Sequence, residues 1–334
     1  MRIAINGFGR IGRCFLRAAY KAKAPFEIVA VNDVGSLENL AYLLKYDTVY
    51  GKFSEKVAVD GAKLVVAGTP IVFTQEKELA KLPWKDLNVD IVVESTGVFT
   101  DPAKAQGHLD AGAKRVVISA PVKGEGAETI LLGANEEKFK SGKISSNASC
   151  TTNAASPLIG ILDEAIGIEK AILATTHAQT ASQSLVDAPN DKDWREGRAA
   201  AHNIVPTSTG AAKATALAYP QLKDKFDGIS LRVPIVAGSL VDITFIAKKP
   251  TTVEEVNAAL TRAAASDRWK RVFAVSDVEL VSSDILGEPY GAIADLKMTR
   301  VVDGNLVKVL AWYDNEMGYA HTLVEHVIEA GNNL

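Results

Sequence analysis

Short apolar runs alternate with amphipathic stretches through the first 150 residues. Arg2-Ile-Ala-Ile-Asn6 and Glu27-Ile-Val-Ala-Val-Asn-Asp33 read as strands, separated by a glycine turn and an apolar-periodic segment through Phe15, Leu16 and Ala19. Further β runs follow at Val89-Asp-Ile-Val-Val-Glu94, Arg115-Val-Val-Ile-Ser119 and Thr129-Ile-Leu-Leu-Gly133. Strands alternating with helices predict an α/β fold whose sheet is mainly parallel and doubly wound, the Rossmann type.

Past residue 150 the texture changes. Leu158, Ile161, Leu162, Ala165 and Ile166 keep helical spacing up to Gly167, a glycine suited to ending a helix. Pro157 is tolerated in a first turn but costs ~3 kcal/mol in an interior, so the start of this helix stays open by a full turn. Ile168 to Thr176 reads as a strand delivering His177, and Ala178 to Asn203 is a long polar stretch of the kind that often carries function. Thr207-Ser-Thr-Gly210 leads an alanine-rich helix, and strands follow that end near Arg232 and span Val241 to Ala247. A capping box at Thr252 to Glu255 opens a helix through Ala265. Val307 to Tyr313 is a strand, and the last twenty residues form a helix. This second half predicts an α+β domain with a mixed or antiparallel sheet. The expected division is 1–149, completed by a C-terminal helix at 315–334, and 150–314.

The chain has 334 residues, enough for about two domains, and no Pro/Gly/Ser-rich linker or internal repeat. A hydrophobic content of 47% supports packed cores, while a net charge of −3 argues against nucleic acid or an anionic membrane as partner. The N-terminus runs straight into a strand, and no apolar run approaches the ~20 residues of a membrane span. A soluble, cytoplasmic protein is expected. Two cysteines, Cys14 and Cys150, do not make a disulfide framework and point to a reducing compartment. Cys14 lies in a predicted helix and reads as packing.

Between the first two strands stands Asn-Gly7-Phe-Gly9-Arg-Ile-Gly12, the dinucleotide fingerprint. Gly7 allows the tight turn, Gly9 lets the backbone approach a pyrophosphate, and Gly12 packs helix on strand. Asp33, ending the second strand, is placed for the adenine ribose hydroxyls. A carboxylate there repels a 2′-phosphate, which favours NAD over NADP. Ser95-Thr-Gly97 and Ser119-Ala-Pro121 fall at strand ends, where they either contact the nicotinamide half or simply end their strands.

Ser145-Ser-Asn-Ala-Ser-Cys-Thr-Thr-Asn153 sets Cys150 among hydroxyls and amides ahead of a helical pattern. Such a turn favours thiolate and can hold an oxyanion, although a cysteine in a polar loop can also carry no chemistry. His177 at a strand end is open in the same way, as a base or as a structural histidine.

Together the motifs resemble the glyceraldehyde-3-phosphate dehydrogenase family along the whole chain. They are Asn-Gly-Phe-Gly-Arg-Ile-Gly at 6–12, Ser-Asn-Ala-Ser-Cys-Thr-Thr-Asn at 146–153, Thr-His-Ala at 176–178 and Trp-Arg-Glu-Gly-Arg at 194–198. Pro-Thr-Ser-Thr-Gly-Ala-Ala-Lys at 206–213, Arg-Val-Pro at 232–234 and Trp-Tyr-Asp-Asn-Glu at 312–316 complete the set. The resemblance implies oxidation of glyceraldehyde 3-phosphate by NAD, with inorganic phosphate as second substrate, no metal, and a homotetramer. It implies Cys150 as nucleophile and His177 as thiolate partner and general base. Thr180 and Arg232 would hold the substrate's phosphate; Ser149, Thr151, Thr209 and Gly210 would surround the attacking phosphate, and Arg195 would add an anion contact. For the cofactor it implies Gly7, Gly9, Arg10, Ile11, Gly12, Asp33, Lys77, Ser119 and Asn315, the last orienting the nicotinamide carboxamide. Arg17, Arg198 and Lys213 read as solvated surface charges.

The chain departs from the family pattern in places. Ala154 replaces a common second cysteine, Ser182 a threonine, Ser184 a common basic residue, Ile235 a threonine and Met317 an aromatic residue. These bear on substrate and phosphate affinity and leave the redox core intact. The alternatives are an erythrose-4-phosphate dehydrogenase, which the Thr-Ser-Thr-Gly cage at 207–210 disfavours, and an NAD-bound thiol redox sensor.

Overall fold

The computed structural model describes residues 1–122 and 124–334, which fall into two units. One comprises Met1–Ile130, Glu136–Ala148 and Leu323–Leu334, the other Leu131–Asn135 and Ser149–Thr322. Relative to the expected division, 131–135 and residues up to 322 group with the second unit.

In the first unit the elements are β1 (Arg2–Asn6), α1 (Arg10–Ala22), β2 (Glu27–Asn32), α2 (Leu37–Lys45), β3 (Val57–Asp60), β4 (Lys63–Val66) and β5 (Thr69–Thr74). They continue with β6 (Ile91–Glu94), α3 (Pro102–Asp110), β7 (Arg115–Ile118), β8 (Glu128–Thr129) and β9 (Ile144–Ser146). One sheet runs in the order β3-β4-β5-β2-β1-β6-β7-β9-β8. From β5 to β8 every pair is parallel, so the predicted doubly wound sheet is present. Its middle strands are buried on both faces: Ile3, Ala4, Ile5, Val92 and Val93 have no exposure, which accounts for their unbroken apolar runs.

The antiparallel meander β3-β4-β5 was not legible from periodicity, because its strands are short and half-exposed. Its second turn is built by Ala67 and Gly68, both at positive φ (51° and 84°), as a tight two-residue hairpin requires. Two strands are shorter than predicted. The amide of Val89 bonds to the Trp84 carbonyl instead of joining the ladder, so β6 begins at Ile91. Of the Thr129–Gly133 run only Thr129 lies in β8, and the Ile130 amide still donates to the Ser146 carbonyl of β9 at 3.0 Å; Leu131 to Ala134 then close a turn, with Asn135 Oδ1 accepting from the Leu131 amide at 2.8 Å. Arg17 is not a solvated charge. It is buried, donates to the Leu44 and Gly51 carbonyls and lies over the Phe53 ring, tying α1 to the chain after α2.

The second unit contains α4 (Cys150–Ala165), β10 (Ile168–Ala178), β11 (Val205–Ser208), α5 (Ala211–Ala216), β12 (Phe226–Val233), β13 (Ser239–Ala247) and α6 (Val253–Ala264). Then come β14 (Phe273–Ser276), β15 (Ala292–Asp295), β16 (Arg300–Val302), β17 (Leu306–Tyr313) and α7 (Met317–Asn332), whose later residues belong to the first unit. The sheet order is β11-β12-β10-β13-β17-β15-β14, with β16 on β17. Pairs β10·β12 and β14·β15 are parallel and the rest antiparallel, the mixed sheet that was expected. The capping box of α6 forms in both directions. Helix α4 starts at Cys150 with Ser149 Oγ capping the Thr152 amide at 3.1 Å, so Pro157 lies inside the helix rather than in its first turn.

Candidate active site

In the first unit the glycine turn joins β1 to α1. Gly7 has φ of 92°, and a Cβ there would meet the Thr96 amide at 2.6 Å. At Gly12 a Cβ would meet the Gly7 carbonyl oxygen at 2.2 Å and the Ile5 side chain at 3.2 Å, so this glycine closes both the turn and the helix–strand contact. At Gly9 a Cβ would meet nothing within 4 Å. It would project into a cavity of about 390 Å³ that Gly7, Gly9, Asp33, Lys77 and Thr96 help to line. An open cradle over a glycine turn, at the N-terminus of α1, fits the pyrophosphate of a dinucleotide.

Asp33 falls one residue beyond the end of β2. Its carboxylate accepts the Phe8 amide at 2.6 Å and the Gly35 amide at 2.8 Å, pinning the glycine turn to the next strand. Lys77 is exposed at the rim. Arg10 opens α1 with its guanidinium paired to Asp47 and stacked on Tyr50, and Ile11 and Gly12 follow on the same turn. Ser119 follows β7, its amide bonded to the Glu94 carbonyl at 2.9 Å.

In the second unit Cys150 is the first residue of α4 and His177 lies near the end of β10. Cys150 Sγ stands 3.3 Å from His177 Nε2. On the far side of the ring, Nδ1 is 2.7 Å from the Ala178 carbonyl oxygen and 2.6 Å from Arg232 Nη1, which also reaches that oxygen at 3.3 Å. Parallel pairing of β10 with β12 puts His177 directly opposite Arg232. Burial and the charge of Arg232 push the imidazole down to about 4. Burial pushes the Cys150 thiol up, and Arg232 together with the Thr151 hydrogen bonds pulls it back.

The remaining residues predicted for substrate, phosphate and carboxamide fall in the same unit, each with contacts of its own. Thr151 is buried with its hydroxyl 2.9 Å from Tyr313 Oη, so that hydroxyl is engaged in protein. Thr180 Oγ1 is 3.0 Å from Ser182 Oγ in the loop after β10. Thr209 Oγ1 caps the Ala211 amide at 3.2 Å, beside Gly210 at the start of α5. Arg195 is exposed, its amide held by Asp193. Arg198 is an exposed partner of Asp187, and Lys213 is exposed, as expected for surface charges. Asn315 is buried; Oδ1 accepts from the Gly238 amide at 3.1 Å and Ser239 Oγ at 2.9 Å. That fixes the carboxamide with its Nδ2 group turned away from those donors.

Sequence reasoning missed Tyr313. Its hydroxyl lies 2.7 Å from Thr175 Oγ1 as well as against Thr151, and its ring is 5.9 Å from the His177 ring, edge to face. The signal was available: Val307, Val309, Ala311 and Tyr313 alternate inward along β17, and a buried tyrosine hydroxyl needs a partner.

Residues 1–102 match the family model described as glyceraldehyde 3-phosphate dehydrogenase, NAD binding domain, and residues 149–315 match glyceraldehyde 3-phosphate dehydrogenase, C-terminal domain. The chain is 50% identical over 341 residues to the glyceraldehyde-3-phosphate dehydrogenase of Mycobacterium avium, covering 100% of this chain and 99% of that one. It is 49% identical over 342 residues to the protein of that name from Mycolicibacterium smegmatis, and 48% over 336 residues to glyceraldehyde-3-phosphate dehydrogenase 2 of Streptomyces avermitilis, with the same coverage. With both of its halves and its full length matched in this way, the chain belongs to the glyceraldehyde-3-phosphate dehydrogenase family.

Proposed function

We propose that the chain oxidises glyceraldehyde 3-phosphate to 1,3-bisphosphoglycerate with NAD and inorganic phosphate, as an enzyme of glycolysis and gluconeogenesis. The observation that carries the reading is the 3.3 Å approach of Cys150 Sγ to His177 Nε2 at the N-terminus of α4. There the helix dipole and free amides favour negative charge on sulfur or on an adjacent oxyanion.

Cys150 sulfur bonds to the aldehyde carbon as the proton of its thiol passes to the carbonyl oxygen, giving a hemithioacetal. A bound NAD would supply the acceptor for the hydride that this carbon gives up. His177, neutral because burial holds its pKa near 4, takes the hydroxyl proton at Nε2 as the carbonyl of the thioester forms. Phosphate oxygen then attacks the thioester carbon, the C–S bond breaks, and the sulfur leaves as thiolate. Arg232 supplies the forked cation suited to the substrate's phosphate, with Thr180 beside it in role. Ser149, Thr151, Thr209, Gly210 and Arg195 serve the attacking phosphate, Thr151 through its backbone since its hydroxyl is engaged by Tyr313. Gly7, Gly9, Arg10, Ile11, Gly12, Asp33, Lys77 and Ser119 would hold the dinucleotide, and Asn315 would orient the carboxamide of the nicotinamide. The two domains of this reading are the NAD-binding and catalytic ones.

The chain acts as a homotetramer in the cytoplasm. Leu185 and Trp194, 80% and 85% exposed in the segment between β10 and β11, are large apolar side chains suited to cover by other copies. Among the described residues no helix is long and apolar enough to cross a membrane.

The test is NADH formation from glyceraldehyde 3-phosphate and NAD, with and without phosphate, for the wild type and Cys150→Ser. Turnover that needs phosphate and is lost in the variant is expected. Turnover independent of phosphate points to a free-acid enzyme, and NAD binding without turnover to a thiol sensor.

A further inference from the structure

Two contacts at His177 Nδ1 are mutually exclusive. The Ala178 carbonyl can only accept, so its 2.7 Å approach requires a proton on Nδ1. A guanidinium can only donate, so the 2.6 Å approach of Arg232 Nη1 requires a lone pair on the same nitrogen. We propose that Arg232 is a positioning residue that sets the tautomer of His177, and that the phosphate of the substrate switches the ring into its base form by drawing Arg232 away. The proposal rests on the reading of Cys150 and His177 as the reacting pair.

With Arg232 donating to Nδ1, the ring proton of a neutral imidazole sits on Nε2 and points at Cys150 Sγ, 3.3 Å away. That tautomer holds a thiolate but has no lone pair on Nε2 with which to take the hemithioacetal proton. With Arg232 withdrawn, Nδ1–H donates to the Ala178 carbonyl and the Nε2 lone pair faces the reacting centre. The switch is balanced: one proton leaves Nε2 for water and one returns from water to Nδ1. Around the ring the facing polar groups are Cys150, Arg232, the Ala178 carbonyl and, edge to face, Tyr313.

A second observation shows that Arg232 is under-supplied with acceptors. Its Nε is buried and has no hydrogen-bond partner among the described residues, and Nη1 lies against a ring nitrogen and one backbone oxygen. An incoming phosphate dianion offers charged acceptors to these donors, a stronger set than imidazole nitrogen. The guanidinium therefore has a reason to move when the anion arrives and a reason to rest on Nδ1 before it does. Under this scheme the phosphate of the substrate contributes to kcat as well as to KM, because an aldehyde without it leaves His177 in the wrong tautomer.

The experiment uses full-length protein with ring-¹⁵N-labelled histidine, the His177 signals being assigned with His177→Asn. Spectra are recorded alone and with saturating glycerol 3-phosphate, a phosphomonoester that lacks the aldehyde; calorimetry measures its binding separately. The expected result is an Nε2–H tautomer in the free protein and Nδ1–H in the complex. Arg232→Met, which cannot donate, is expected to show Nδ1–H with no ligand. Binding with an unchanged tautomer overturns the proposal alone, and so does Nε2–H in a folded Arg232→Met. Failure to bind glycerol 3-phosphate overturns the anion subsite and with it both the proposal and the functional reading. Should Arg232→Met not fold, the wild-type spectra still decide.

Discussion

Glu94 Oε2 lies 3.0 Å from His108 Nε2, and both side chains are sealed from solvent. Trp84 Nε1, which can only donate, is 3.0 Å from His108 Nδ1, so the neutral ring carries its proton on Nε2 and gives it to Glu94. The carboxylate also accepts from Asn6 Nδ2 at 2.6 Å and from the Thr96 amide at 2.8 Å. Asn6 and Thr96 both line the cavity beside the glycine turn, so this buried chain forms part of its wall.

Glu94→Gln turns an NH₂ group toward at least one of these donors. Leaving a buried donor unsatisfied costs about 1–3 kcal/mol. The expected outcome is a loss of that size in urea unfolding together with weaker NAD binding by calorimetry. Unchanged NAD affinity at reduced stability would confine the network to a structural role.

The three fingerprint glycines separate by what surrounds them. Gly12→Ala sets a methyl 2.2 Å from a backbone oxygen, so both stability and NAD binding are expected to fall. Gly9→Ala meets no protein atom within 4 Å and is expected to keep its Tm while losing NAD affinity, because the methyl occupies the cradle. Thermal unfolding beside NAD titration separates the two effects.

His177→Asn is expected to lower kcat by roughly 10²–10⁴-fold, the usual share of a general base. Iodoacetamide should still modify Cys150 in this variant. Because the Arg232 charge holds both neighbours down, Arg232→Met is expected to move the Cys150 and His177 pKa values upward together. Alkylation rate against pH reads the thiol. A downward shift in either group would refute the electrostatic assignment.

Acid sensitivity follows from two buried histidines. Burial, reinforced by nearby arginine charge, pushes His177 to about 4 and His326 to about 3, below the ordinary ~6.5. As pH falls past ~6.5 the unfolded chain takes up protons that the native rings refuse, so stability is intact above that pH and lost progressively below it. The loss is on the order of several kcal/mol by pH ~4. His326→Gln should flatten that limb in urea midpoints measured across the range. An unaltered slope would place the titration elsewhere.

Much of this was legible because the signals are local. Gly7, Gly9, Gly12 and Asp33 announce a turn, an open approach and an acid at a strand end within one βαβ unit, and the cradle sits where they point. The start of α4 was not legible, since Pro157 left it open by a full turn and the Ser149 cap settles it at Cys150. Long-range pairings were equally hidden. Nothing in the one-dimensional pattern says that β10 and β12 run parallel with His177 opposite Arg232, or that Tyr313 reaches Thr151 across 162 residues of chain. Arg17 was misjudged because an arginine in a helix usually reaches water, and here two backbone carbonyls and a ring take its place.

Ala154 stands where a second thiol is common in the family, and Cys14 is 1% exposed in the first unit. Cys150 is therefore the one sulfhydryl of the native chain that a water-soluble reagent meets. Stoichiometry becomes a direct reading of quality: equivalents of reagent consumed per chain count competent sites in a preparation, and a peroxide-treated sample has no neighbour at 154 to hide its damage as an internal disulfide.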